Sequence, residues 1–132
     1  MSTLKTGKVK TTTIADELDT ESTDVTNVIN GSAKAWVNFN GTGAIAIRGS
    51  FNVSSLVDNT TGQYTVNFIT AMPDANYAIS GSSGNGNGWG SYDWAQQGAG
   101  TSTAVGSCRF DTYISQTAGK ADVDQACLII HR

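Results

Sequence analysis

The sequence predicts an all-β domain, an antiparallel β-sandwich of jelly-roll-like form, preceded by an extended N-terminal arm. Three observations predict it. From Ala33 onward, apolar and polar residues alternate with a period of two in run after run, which sends successive side chains to opposite faces of a strand. Turn-forming residues punctuate those runs, since the chain holds 15 glycines and a single proline, Pro73, among many Ser, Thr and Asn residues. Helical signal is confined to Ile14-Ala-Asp-Glu-Leu18, which is too short to stand without packing. A length of 132 residues suits one domain with a real core.

Residues 1–32 are the arm. They hold no aromatic residue and only scattered aliphatic ones, so they cannot build a core of their own. Their charges are segregated: Lys5, Lys8 and Lys10 come first, then Asp16, Glu17, Asp19, Glu21 and Asp24 follow with no basic residue among them. Opposite blocks of this kind allow one copy to pair with a neighbour. The arm is therefore expected to dock on another subunit or a larger particle, with Lys5, Lys8, Lys10, Asp16 and Glu17 as its contacts.

Residues 33–132 are the sandwich. Ala33 to Asn40 reads as a strand with Trp36, Asn38 and Asn40 on one face and Val37 and Phe39 on the other. Asn40-Gly41 supplies the positive φ values of a tight hairpin turn, extended by Thr42-Gly43, and Ala44 to Arg48 returns. Phe51 to Val53 continues the sheet, Asp58 to Gly62 turns, and Gln63 to Ile69 is a strand that buries Tyr64, Val66 and Phe68. Met72 to Ala75 turns again. Asn76 to Ser80, Ser91 to Gln96, Ala104 to Ile114 and Val123 to His131 complete the strands. Seven or eight short strands joined by turns suit a sandwich better than any helical architecture.

Several functions are disfavoured on chemical grounds. A net charge of −3 offers no basic face for phosphate backbones or anionic lipid, so no nucleic acid partner is expected. No apolar run reaches the ~18 residues of a membrane helix, so membrane insertion is not expected either. The first residues lack the apolar core of a signal peptide, and folding in a cytoplasm is expected. Gly41-Thr-Gly43-Ala-Ile-Ala46 imitates a dinucleotide fingerprint, but a strand follows where that motif needs a helix. His131 is the only histidine and sits at a strand end, a poor place for a general base. Cys108, Cys127 and His131 make three zinc ligands without a fourth. Asp93, Asp111, Asp122 and Asp124 show no spacing that singles out a catalytic pair, and read as solvated turn residues. No catalytic, cofactor or metal residue is assigned. Cys108 and Cys127 would face each other if the last two strands formed a hairpin centred on Thr117 and Ala118, yet a reducing cytoplasm favours free, buried thiols.

The segment Gly81 to Trp94 carries the local promise of a binding surface. Trp89, Tyr92 and Trp94 offer flat faces, and Asn85 and Asn87 offer hydrogen bonds beside a glycine-rich backbone. Core packing or a subunit interface is the first use for such rings, and contact with a sugar or receptor loop the second.

The run Lys34-Ala-Trp-Val-Asn-Phe-Asn-Gly-Thr-Gly43, followed by Ile47-Arg48, Phe51-Asn-Val-Ser-Ser55 and Tyr64-Thr-Val-Asn-Phe68, resembles a module of tail fibres and other virion proteins of marine tailed bacteriophages. The resemblance covers Ala33 to Ile79. It implies a noncatalytic structural protein of a virion, of the tail-fibre or short-appendage type, assembled in the host cytoplasm and trimeric. Residues 1–32 would then meet other virion proteins, and the sandwich would serve assembly and host-surface adhesion through a glycan or protein. Three rivals stand beside it: a capsid decoration or cement protein, a lectin-like glycan-binding module, and a glycan-degrading enzyme.

Overall fold

The computed structural model describes residues 13–15, 22–84, 94–97, 103–114 and 119–132, with backbone alone for 94–97 and Ile114. The chain divides into two units, residues 1–32 and 33–132.

In the first unit, β1 (Thr13–Ala15) pairs antiparallel with β2 (Ser22–Asp24), with Ile14 opposite Thr23. Ile14 and Ala15, which open the short stretch of helical propensity, thus lie in a strand, and residues 16–18 are outside the described residues. Thr13 and Ile14 are β-branched, and a strand partner was available to favour them over a short helix. Among the described residues of this unit the helix is α1 (Val25–Gly31), which the sequence does not advertise because Val, Thr and Asn are weak helix formers. Its C-terminus is closed by Ser32, whose N–H and Oγ both donate to Val28 O at 3.1 and 2.5 Å. No residue of α1 is buried.

The second unit is an antiparallel β-sandwich. Its strands are β3 (Ala33–Asn40), β4 (Ala46–Phe51), β5 (Val53–Thr60), β6 (Gln63–Phe68), β7 (Ala78–Gly84), β8 (Trp94–Gln97), β9 (Thr103–Ala104), β10 (Ser107–Ile114), β11 (Gly119–Lys120) and β12 (Gln125–His131). One ladder runs β4-β3-β12-β7-β8-β10-β6-β5, and β9 and β11 add to β10. The ladder folds over on itself between β7 and β8, where Ser82 stands opposite Trp94. The two layers are therefore β4-β3-β12-β7 and β8-β10-β6-β5, and the first and last strands of the unit lie side by side, as in a jelly roll. Hairpin partners β3–β4 and β5–β6 stay within one layer.

Alternation decides what the layers enclose. Ala35, Val37 and Phe39 of β3 and Ala126, Leu128 and Ile130 of β12 face Tyr64, Val66 and Phe68 of β6 and Cys108 and Phe110 of β10, all buried. Phe39 joins the layers, meeting Tyr64 edge-on at 5.0 Å and Phe110 at 5.7 Å between ring centroids. Burying each large side chain contributes about 1.5–3 kcal/mol, so these residues supply most of the stability of the unit.

Three expectations are corrected. The β3–β4 connection is a longer loop, residues 41–45, and its positive φ falls at Gly43 (62°) rather than at Asn40-Gly41. Gly41 is needed for a different reason: a Cβ there would lie 2.3 Å from the Tyr64 hydroxyl. The strand expected through Phe51 to Val53 breaks at Asn52, whose φ of 55° turns the chain from one layer to the other. Cys108 and Cys127 are not hairpin neighbours, because β12 pairs with β3 and β7 while β10 pairs with β6 and β8. Cys108 points into the core and Cys127 out of the opposite layer, and both thiols are free.

Candidate interaction surface

The two outer faces of the sandwich differ in kind. On the β5–β6–β10 side, polar side chains bond to one another: Asn67 Nδ2 donates to Ser55 Oγ at 3.0 Å, Asn59 Nδ2 to Thr65 Oγ1 at 2.8 Å, and Gln63 Nε2 to Asp111 Oδ1 at 3.0 Å. Val57 is the exposed large apolar residue of that layer's edge strand. On the β4-β3-β12-β7 side, the register sets Phe51 opposite Trp36, Trp36 opposite Ile129, and Ile129 opposite Ser80. Directly paired residues share a face, so Phe51, Trp36 and Ile129 form a row across three strands, 55%, 40% and 42% exposed. The next row is Gly49, Asn38, Cys127 and Ser82.

Glycine in that second row shapes the first. A Cβ at Gly49 would sit 3.4 and 3.5 Å from Cζ3 and Cη2 of Trp36, so the six-membered ring of the indole rests against bare backbone of β4. Arg48, an exposed residue, precedes Gly49 at an irregularity in the β3–β4 register between Asn38 and Phe39. Asn38 Oδ1 is buried without a hydrogen-bond partner, an acceptor beside the ring left unserved.

Phe51 also opens a cleft of about 760 Å³, which is lined further by Lys34, Ile69, Met72, Pro73 and Arg132. Asn52 holds the cleft in shape. Its Nδ2 donates to Lys34 O and Thr70 O, both at 3.0 Å, and its Oδ1 accepts from Thr70 N–H at 2.7 Å. Asn is among the few non-glycine residues that tolerate a positive φ, and here the same side chain ties the crossover to β3 and to the segment after β6. Arg132 at the cleft pairs with the carboxylate of Asp74. Hydrogen bonds from Arg132 first, then from the Asn76 N–H, hold the Asp74 carboxyl below its usual range.

Asp111 and Asp122 are engaged elsewhere. Asp111 is fully buried in mid-strand, not in a solvated turn, and Lys120 Nζ lies 2.7 Å from its Oδ2. Asp122 Oδ1 accepts from Gly62 N–H at 2.7 Å and from the Tyr64 hydroxyl at 2.9 Å. Burial, then that bond to a carboxylate, pushes the Tyr64 phenol upward. Neither carboxylate lines the cleft. Among the described residues, no three His, Cys, Asp or Glu converge in a way that could hold a metal ion.

Comparison with known proteins found no family model, no curated protein and no solved structure that matches the chain. The residues expected to bind fall as follows. Asn85, Asn87, Trp89 and Tyr92 lie outside the described residues, as do Lys5, Lys8, Lys10, Asp16 and Glu17. Trp94 opens β8 opposite Tyr113 and Ser82, and its side chain is outside the description. The surface that the described residues do build, around Trp36, Phe51, Ile129 and the cleft beside Asn52, is not legible in the sequence. The signal was present only in part: Trp36 and Asn38 were placed on one strand face, but nothing local brings Ile129 beside them.

Proposed function

We propose that the chain is a noncatalytic structural protein of a phage virion, of the tail-fibre or short-appendage type, in which residues 1–32 assemble the particle and the sandwich presents a contact face to the host surface. The observation that carries the assembly role is that none of the arm's described residues is buried. Its helix buries no residue, Ile14 and Val28 are exposed, and its strand pair has three residues on each side. A lone two-stranded ladder and a seven-residue helix are each too small to be stable in water, so a partner chain must supply what the arm lacks. A homotrimer meets that need with three arms around one axis, and other virion proteins provide the remaining docking surface.

The test is the mass in solution of the full chain and of residues 33–132, the compact unit that holds the buried cluster, with the fold of the shorter chain checked by near-ultraviolet circular dichroism. The expected result is a trimer for the first and a monomer for the second. A full chain that stays monomeric at every concentration, and is missing from purified particles, removes this reading.

A further inference from the structure

Helix α1 is short but two-sided. Val25, Val28 and Ile29 stand at i, i+3 and i+4 and so share one face, while Thr26, Asn27 and Asn30 take the other. The apolar face is turned to solvent, with Val28 39% and Ile29 57% exposed. On the sandwich, the cleft of about 760 Å³ has an apolar lining in which Phe51, Met72 and Pro73 stand with Ile69, a large apolar residue 70% exposed. Two of its polar side chains are already spent. The Asn52 amide makes three hydrogen bonds to the backbone of Lys34 and Thr70, and the Arg132 guanidinium is paired with Asp74. What the cleft then offers an occupant is chiefly apolar contact.

We propose that this cleft receives the apolar face of α1 from the arm of a second copy of the chain. The inference rests on the assembly role proposed above and names the site at which the arm docks. Where the arm joins the sandwich decides the occupant. Ala33, the residue that follows the arm, and Lys34 both line the cleft, so the arm leaves from the cleft's own rim. Arms gathered around one symmetry axis therefore bring the clefts to that axis as well, and the chain nearest each cleft is a neighbour's arm. Size agrees with this. One turn of helix with its side chains is a cylinder of roughly 400–600 Å³, so the cleft admits about one turn, which is the span from Val25 to Ile29. Each copy carries one such face and one such cleft, and head-to-tail docking that closes into a ring uses every one of them. A sugar would need the amide and the guanidinium that are already committed, whereas aliphatic side chains need neither.

The experiment uses the full chain with Cys127→Ser, which removes the native thiol that is not buried. Val28→Cys and Ile69→Cys chains, one of them lengthened by a tag, are mixed in urea, refolded together and treated with a short bis-maleimide. The expected result is a covalent dimer of one chain of each kind, and none from either kind alone. In parallel, Ile69→Asp is expected to raise the concentration at which the assembled protein dissociates tenfold or more. Val57→Asp, at an exposed residue of β5 outside the cleft, is expected to stay within twofold of the parent. Because both side chains are exposed, the aspartate variants should keep the near-ultraviolet circular dichroism of the parent, which is recorded on the same samples. Covalent dimers from the Val28→Cys chain alone place the helices against one another. Cross-linking confined to the inside of a chain that carries both cysteines places the arm on its own sandwich. Either result overturns the inference, as does the absence of a mixed dimer or an Ile69→Asp protein that assembles like the parent. In each of these cases a parent that is trimeric by mass leaves the assembly role standing, whereas a parent that is monomeric at every concentration removes both.

Discussion

Replacing Gly41 by Ala tests whether that glycine serves the turn or the core. The new Cβ would lie 2.3 Å from the Tyr64 hydroxyl oxygen, 2.8 Å from its Cζ and 3.1 Å from Val123 O. Ordinary contact requires about 3.5 Å, so the phenol must retreat by roughly 1 Å. It has no room to do so. Tyr64 is fully buried, its ring is held edge-on by Phe39, and its hydroxyl donates to Asp122 at 2.9 Å. Overpacking of this kind costs about 1–3 kcal/mol, and breaking a hydrogen bond to a carboxylate adds about 1.5–3 kcal/mol. A total near 3–5 kcal/mol lowers the melting temperature of a domain this size by at least about 12 °C. The assay is a thermal melt followed by near-ultraviolet circular dichroism, with two companions. Gly43→Ala meets nothing within 4 Å and is strained only by a φ of 62°, so its cost is about 1–2 kcal/mol. Tyr64→Phe combined with Gly41→Ala removes the closest atom, and recovers part of the loss relative to the two single costs added together. A Gly41→Ala protein that melts within about 3 °C of the parent, or above Gly43→Ala, refutes the close-approach argument and returns Gly41 to a turn role.

Other substitutions probe the crossover, the ion pair and the thiols. Asn52→Ala loses three hydrogen bonds and puts alanine at a φ of 55°, a cost of about 3 kcal/mol in urea unfolding, whereas Asn52→Gly keeps the backbone and costs about 1 kcal/mol less. The folded Asp74 carboxyl sits below its ordinary value of 3.8 because Arg132 bonds it, so the pair stabilises the fold above that pH and loses its effect as pH falls through the folded value. Asp74→Asn should then show a shallower loss of urea midpoint below about pH 4 than the parent, and parallel curves would refute the assignment. Burial pushes the Cys108 thiol up to about 12, so iodoacetamide should modify Cys127 alone in the native protein and both cysteines in urea. Because the Cys108 thiol and the Tyr77 phenol, also raised to about 12 by burial, stay neutral in the fold, stability should decline as pH rises above about 9, where the unfolded thiol ionises first.

Much of the architecture was legible because alternation is a local signal. The β3, β6, β10 and β12 strands were each visible within a few residues of their observed ends, and the burial of Tyr64, Val66 and Phe68 followed from period two alone. Features that depend on distant chain were not legible. Gly41 looks like a turn residue beside Asn40, and only the arrival of Tyr64, 23 positions on, gives it a packing role. Asn52 looks like one more polar residue in a strand, and its left-handed backbone is fixed by carbonyls at Lys34 and Thr70. The solvated reading of Asp111 failed for the same reason, since Gln63 and Lys120 come to it from other strands.

The candidate face shows most plainly how function can hide in strand order. Read along the chain, Lys34, Trp36, Arg48, Phe51 and Ile129 are isolated residues in four separate stretches of ordinary sequence. Strand β3 belongs to the first third of the sandwich and β12 to its end, yet they are neighbours, and that single pairing places Ile129 against Trp36. Had β12 paired with β10 as a hairpin, Ile129 would have faced another strand, and the acids of β10 and the acid-free strands would have shared a layer. The observed order segregates them instead. In a protein of net negative charge the strands of the layer that exposes Trp36 thereby hold no Asp or Glu, and that asymmetry arises from topology acting on composition.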